Sequence, residues 1–178
     1  RPATIGRALR EELLAVDALP PALANARDTF IAHGNPYGLP RDQRRAWLPD
    51  DEPVAQDAAM SLFTGCASAL PTGAEARAGH ALLKAAGVTV AVVSDACCGA
   101  PLAELGLRRE GEALARAAAA RLGAAEVLVA GCECAAQLRG ANLKPRSVVR
   151  WLCDAVTAGQ VDLHWKDDVA RPSSVRLV

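Results

Sequence analysis

Aromatic side chains are scarce: Phe, Tyr and Trp make up 3% of the 178 residues, although hydrophobic residues make up 51%. Alanine carries much of that apolar count, so the helices are expected to pack closely on small side chains. Neither charge sign is in excess, since 20 Lys and Arg balance 20 Asp and Glu. This balance argues against nucleic acid or an anionic membrane surface as a partner. No apolar run reaches the roughly 18 residues needed to span a bilayer. The Ala-rich stretch 113–130 is interrupted by Arg116, Arg121 and Glu126. No signal peptide is expected at the start. The expected location is therefore the cytoplasm, with any membrane association made through partners. His33, His80 and His164 are scattered, and none has a partner at metal-ligand spacing. His80 is expected on a helix surface and His33 at a helix end. There is no Ser–His–Asp set, no Gly-rich phosphate loop and no G-x-G-x-x-G fingerprint.

Cysteine is what the chain does have. Cys97 and Cys98 are adjacent, Cys66 lies 30 intervening residues upstream, and Cys132 and Cys134 follow after a 33-residue gap. The sixth is Cys153. A disulfide framework is a poor reading, because such domains are small, loop-rich and secreted, and this chain is Ala-rich and helical in pattern. Each cluster instead follows an apolar run that reads as a buried strand: Met60-Ser61-Leu62-Phe63, Val88 to Val93, and Glu126 to Ala130. Helical patterns separate these runs. One extends to Ala86 and closes on Gly87, a short one covers Ala100 to Gly106, and a long one covers Arg108 to Leu122. The alternation predicts an α/β fold, a parallel sheet with flanking helices. Loops leaving the carboxyl ends of parallel strands share one edge of the sheet. Five thiols should converge there, and an all-thiol site favours soft metals, as iron–sulfur or zinc.

A helical lead-in over residues 1–50 precedes a cysteine-rich domain over 51–178. Its first helix is amphipathic, with Ile5, Leu9, Leu13 and Val16 on one face. Pro20 and Pro21 stop it, and a second helix runs from Ala22 to about His33. Gly34 to Pro40 is a Gly/Pro-rich loop. A last helix is expected around Ser147 to Ala158, and a strand at Ser174 to Val178.

The cysteine pattern resembles the CCG domain of the heterodisulfide reductase family, which includes iron–sulfur subunits of glycolate and lactate oxidation. Phe63-Thr64-Gly65-Cys66 matches its first element, and Cys97-Cys98-Gly99-Ala100-Pro101-Leu102 its second. The third departs. The family has C-x-x-C, whereas this chain has Cys132-Glu133-Cys134, with Gly131 where the first cysteine would stand. The resemblance implies an iron–sulfur centre of the non-cubane 4Fe-4S type, held by Cys66, Cys97, Cys98, Cys132 and Cys134. Cys132 joins only if residues 131–134 stay extended, because alternate residues of an extended chain point the same way. The resemblance also implies an electron-transfer subunit of an oxidoreductase complex, partnered by other subunits that include a ferredoxin-type cluster domain. The Asn35-Pro36-Tyr37-Gly38 segment is similar to the linker that joins such a domain to the CCG region. Family members carry a second cysteine-rich half. With one, electron relay is the expectation rather than complete catalysis, and the chain reads as a fragment or as a partner of a chain holding the other half.

Other readings attach to the same residues. Four thiolates would satisfy a structural zinc site. A redox pair at Cys97–Cys98 is weaker, because a vicinal disulfide is strained. Gly99 is expected to let the backbone approach a bulky inorganic core, and amides at the start of the next helix to donate to the thiolates. Glu133 is expected in solvent and Cys153 in the core. Arg44-Arg45 and Arg108-Arg109 are expected on solvated faces.

Overall fold

The computed structural model describes residues 2–49, 58–70, 72–123 and 126–162. The strand expected at Ser174 to Val178 lies outside them. Four strands form one sheet: β1 (Met60–Phe63), β2 (Val90–Val93), β3 (Glu126–Val129) and β4 (Arg146–Ser147). Their spatial order is β2-β1-β3-β4, and every neighbouring pair is parallel. The α/β architecture is the one the sequence implies. Val88 is not part of β2, because its N–H is taken by Leu83 O at 2.9 Å in the turn that closes the preceding helix. β4 is only two residues long and leaves no periodicity to read.

Alternation along each strand feeds two cores. Phe63, Val127 and Val129 face Ala118, Leu122, Ala135 and Leu138. Leu62 and Leu128 face the other way, onto Leu83, Trp151, Leu152 and Ala155. The helices covering the sheet are α3 (Gly65–Ala69), α4 (Ala74–Ala85), α5 (Ala100–Glu104), α6 (Arg108–Leu122), α7 (Cys132–Arg139) and α8 (Val148–Thr157). Ser147 caps α8 by accepting from Arg150 N at 3.1 Å.

The lead-in forms α1 (Pro2–Ala15), α2 (Pro21–His33) and a 3₁₀ turn at Arg41–Arg45. α1 does not bury its apolar stripe. Ile5, Leu9 and Val16 are exposed, and the helix is held by its charges, Arg7 to Glu104 and Glu11 to Arg108. α2 lays Phe30 over Cys66, Cys97 and Leu102. Trp47 and Leu48 are buried against Ala69 and Ala76. The lead-in thus covers the strand ends from which the cysteines emerge.

Candidate metal centre

The register places the cysteines. Phe63 pairs with Val93 on one side and with Val129 on the other, so three strands end level. Backbone bonds from Thr64 N to Val93 O and from Ala130 N to Phe63 O, each 3.3 Å, carry the alignment one residue further. Cys66, Cys97 and Cys134 come three, four and five residues after these ends. All three loops leave the same edge, with β1 between the other two.

Each loop turns by its own device. Gly65 adopts φ 67°, a left-handed conformation that swings the chain from β1 directly into α3. A Cβ there would lie 2.6 Å from Cys134 Sγ, so only glycine leaves room for that sulfur. Gly99 also has a positive φ, 79°, and caps α5. The room made at Gly65 is for a sulfur of the cysteine cluster. Gly99 is instead pressed against α6, where a Cβ would meet Gly111 O at 2.1 Å. The expected amide donors are present: Gly99 N–H reaches Cys97 Sγ at 3.4 Å, and Ala100 N–H bonds to Cys98.

Cys66, Cys97, Cys98 and Cys134 are all buried. Cys66 Sγ and Cys97 Sγ are 3.3 Å apart, and Cys98, next in the chain to Cys97, packs in the same buried cluster as Cys134 close enough for the thiols to shift one another. Hydrogen bonds from the Cys66 and Cys98 thiols, then the Gly99 amide and the Arg44 charge, outweigh the burial of Cys97 and push its pKa down to about 3. Cys66 is pushed up by its bond to Cys97 and by burial, and Cys98 by its bonds to Cys134 and Cys97 and by burial. Tyr37 has its hydroxyl pushed up by partial burial and by the electrostatic influence of Cys66 and of the Glu133 and Glu75 carboxylates. Glu133 is in solvent, as expected. Thr64 Oγ1 and Ser94 Oγ, at the ends of β1 and β2, are buried with no hydrogen-bond partner among the described residues.

The donor set is chemically uniform: four soft sulfurs close together, suited to iron–sulfur or zinc rather than to hard cations. As they stand, the Cys66 and Cys97 thiols bond to each other. Among the described residues no three His, Cys, Asp or Glu side chains surround a common metal position. Loading would exchange S–H···S contacts for metal–sulfur bonds and release the thiol protons.

Three expectations are corrected here. The stretch 131–134 is not extended: Gly131 is the N-cap and α7 begins at Cys132. Residues two apart on a helix lie about 200° apart around its axis, so the backbone does not present positions 132 and 134 to the same side. Cys153 is exposed on α8 rather than in the core. The reason is phase, because Trp151, Leu152 and Ala155 occupy the buried face of that helix. In the native protein Cys153 should therefore react with a maleimide well before Cys66, Cys97, Cys98 and Cys134, and without loss of any bound metal. Peptide mapping with parallel metal analysis checks this. Arg44 is the third correction. It is 3% exposed and lies beside Cys66, while Arg45 is exposed as expected. Its one available signal was its position between the Gly/Pro-rich loop and Trp47. His80 is half-buried, its ring edge-on to Trp47 at 5.9 Å.

A cleft of about 540 Å³ opens beside Cys97, bounded by Phe30, Ile31 and Leu114 and by the charged Arg41, Glu110 and Arg121. No helix among the described residues is long and apolar enough to cross a membrane.

Residues 60–139, from the first residue of β1 to the last of α7, match the family model of the CCG cysteine-rich domain. This segment is similar to the CCG cysteine-rich domain, and its clustered thiols suit a metal or an iron–sulfur cluster. Neither a curated protein nor a solved structure matches the chain.

Proposed function

We propose that the domain holds an iron–sulfur centre on Cys66, Cys97, Cys98 and Cys134, and serves electron transfer in an oxidoreductase complex of heterodisulfide-reductase type. The observation that carries this reading is the group of four buried cysteines drawn from three level strand ends. When bound, such a centre takes up and returns single electrons. The protein's part is to supply thiolates, to exclude water by burying them, and to donate the Gly99 and Ala100 amides, which favours the reduced state. The cleft beside Cys97 gives an electron partner its approach. The partners in this reading are other subunits of the complex, including a ferredoxin-type cluster domain. The setting is the cytoplasm, where thiols stay reduced.

The test is anaerobic purification followed by iron and sulfide analysis, visible absorption and electron paramagnetic resonance. A brown protein with iron and acid-labile sulfide supports the proposal. A colourless protein with one zinc per chain overturns it in favour of a structural zinc site. A specific feature favours that second reading: four thiolates complete a tetrahedral zinc shell without help from Cys132.

Cys132 decides the type of centre. A single cubane needs four thiolates, whereas the non-cubane 4Fe-4S type of the family uses five. Because α7 starts at Cys132, Cys132→Ala is expected to retain iron content and spectrum unchanged. A fall in iron per chain, or an altered paramagnetic signal, would show that the first turn of α7 opens on loading and that Cys132 binds.

A further inference from the structure

Arg44 lies outside the matched segment 60–139, yet it reaches into the thiol cluster. Its Nη1 donates to Ala96 O at 2.7 Å, and its Nη2 donates to Gly34 O and approaches Cys66 Sγ at 3.8 Å. Among the described residues no carboxylate pairs with it. Of the carboxylates that line the same cleft, Asp95 is paired with Arg121, and Glu110 forms no ion pair with Arg44.

The surroundings over-determine this position. On the N-terminal side, Asn35 is fully buried, and its side chain ties the loop together. Its Nδ2 donates to His33 O at 3.1 Å and Leu39 O at 2.7 Å, and its Oδ1 accepts from Tyr37 N at 3.0 Å and Leu39 N at 3.3 Å. On the other side, Trp47 is buried so tightly that a Cβ on Gly73 would lie 2.4 Å from its own Cβ. The 3₁₀ turn is pinned at both ends, and its inward residue is a cation. A guanidinium cannot shed its proton to escape burial. Carbonyl oxygens satisfy its hydrogen bonds without balancing its charge, and an unbalanced buried charge is strongly destabilising. No carboxylate among the described residues forms an ion pair with Arg44, and the sulfur of Cys66, 3.8 Å away, is where a thiolate centre would stand.

We propose that Arg44 is the counter-ion of the thiolate centre. It is a positioning residue, supplied by the lead-in, that stabilises the more negative state and so raises the centre's potential. This rests on the iron–sulfur reading above. The alternative role is a neutral clamp, in which the guanidinium merely joins Gly34 O to Ala96 O.

The experiment compares wild type, Arg44→Lys and Arg44→Met by redox titration followed through the paramagnetic signal, with iron content measured on each. Methionine keeps bulk and removes charge; lysine keeps charge and removes the fork. Arg44→Met is expected to lower the reduced-to-oxidised ratio at the wild-type midpoint at least tenfold, a fall of about 59 mV for a one-electron couple. Arg44→Lys is expected to stay within about threefold of wild type, because the charge remains. An unchanged midpoint in Arg44→Met overturns the proposal. So does an equal shift in both variants, which would make the fork rather than the charge responsible. Should Arg44→Met take up no iron, loading decides: iron retained by Arg44→Lys supports the counter-ion role, and equal loss in both overturns it. Wild type without iron would instead fail the iron–sulfur reading itself, a separate result.

Discussion

Replacing Cys98 with serine is expected to reduce bound iron to background, with the colour lost. Cys98 is next in the chain to Cys97, 2% exposed, and packs in the same buried cluster as Cys134. A serine hydroxyl is a hard, weakly acidic donor and a poor substitute for a thiolate at a soft metal. Metal binding and folding are coupled at such sites, so the loss extends to stability. In the metal-free protein the same change swaps a buried thiol for a hydroxyl, which costs about 1–3 kcal/mol where the hydroxyl is left unpaired. The control is Cys153→Ser. Because Cys153 is exposed, this variant should match wild type in both iron content and midpoint of unfolding. Iron content near that of wild type in Cys98→Ser would contradict the ligand assignment.

The largest effect on folding alone is expected from Gly99→Ala. At φ 79° any side chain is strained, by about 1–2 kcal/mol. The added Cβ would also stand 2.1 Å from Gly111 O, a backbone atom of α6 that cannot rotate away. Overpacking of this kind adds about 1–3 kcal/mol. The sum, about 2–5 kcal/mol, is a large share of the stability of a domain this size. Denaturant unfolding of the metal-free protein separates this from any effect on the cluster. A loss under about 1 kcal/mol, less than the left-handed strain alone, would show that α5 and α6 can part without penalty.

The two glycines show where sequence reasoning stops. Gly65 and Gly99 both follow a strand and both neighbour a cysteine, so a pattern treats them alike. Their roles separate only once α6 and α7 are docked, because what a Cβ would strike is decided by segments that enter from elsewhere in the chain: Cys134 for one, Gly111 for the other. Cys153 went astray for a related reason. Its helix is apolar on more than one side, and the buried face was set by how α8 meets β3 and α4, not by composition.

What the sequence determined by itself was the frame. Apolar runs with period two or unbroken, Gly-closed helices between them, and cysteines a few residues past each run are local features. Local features decide strands, helices and their order, and a parallel order obliges the loops to share an edge. The convergence of Cys66, Cys97, Cys98 and Cys134 was legible on that ground. The tertiary structure alone decided which turns open and which close, and what surrounds the sulfurs. The start of α7 at Cys132 depends on one residue of helix nucleation, which the sequence Gly131-Cys132-Glu133-Cys134 leaves undecided. Arg44 is further still from local reading. Its neighbours Arg41 and Arg45 are the same residue type and stay in solvent, and its burial exists only because Asn35 and Trp47 clamp the turn over the end of the sheet. Charge placed by a docked segment has no periodicity and no motif, so only the packed chain can reveal it.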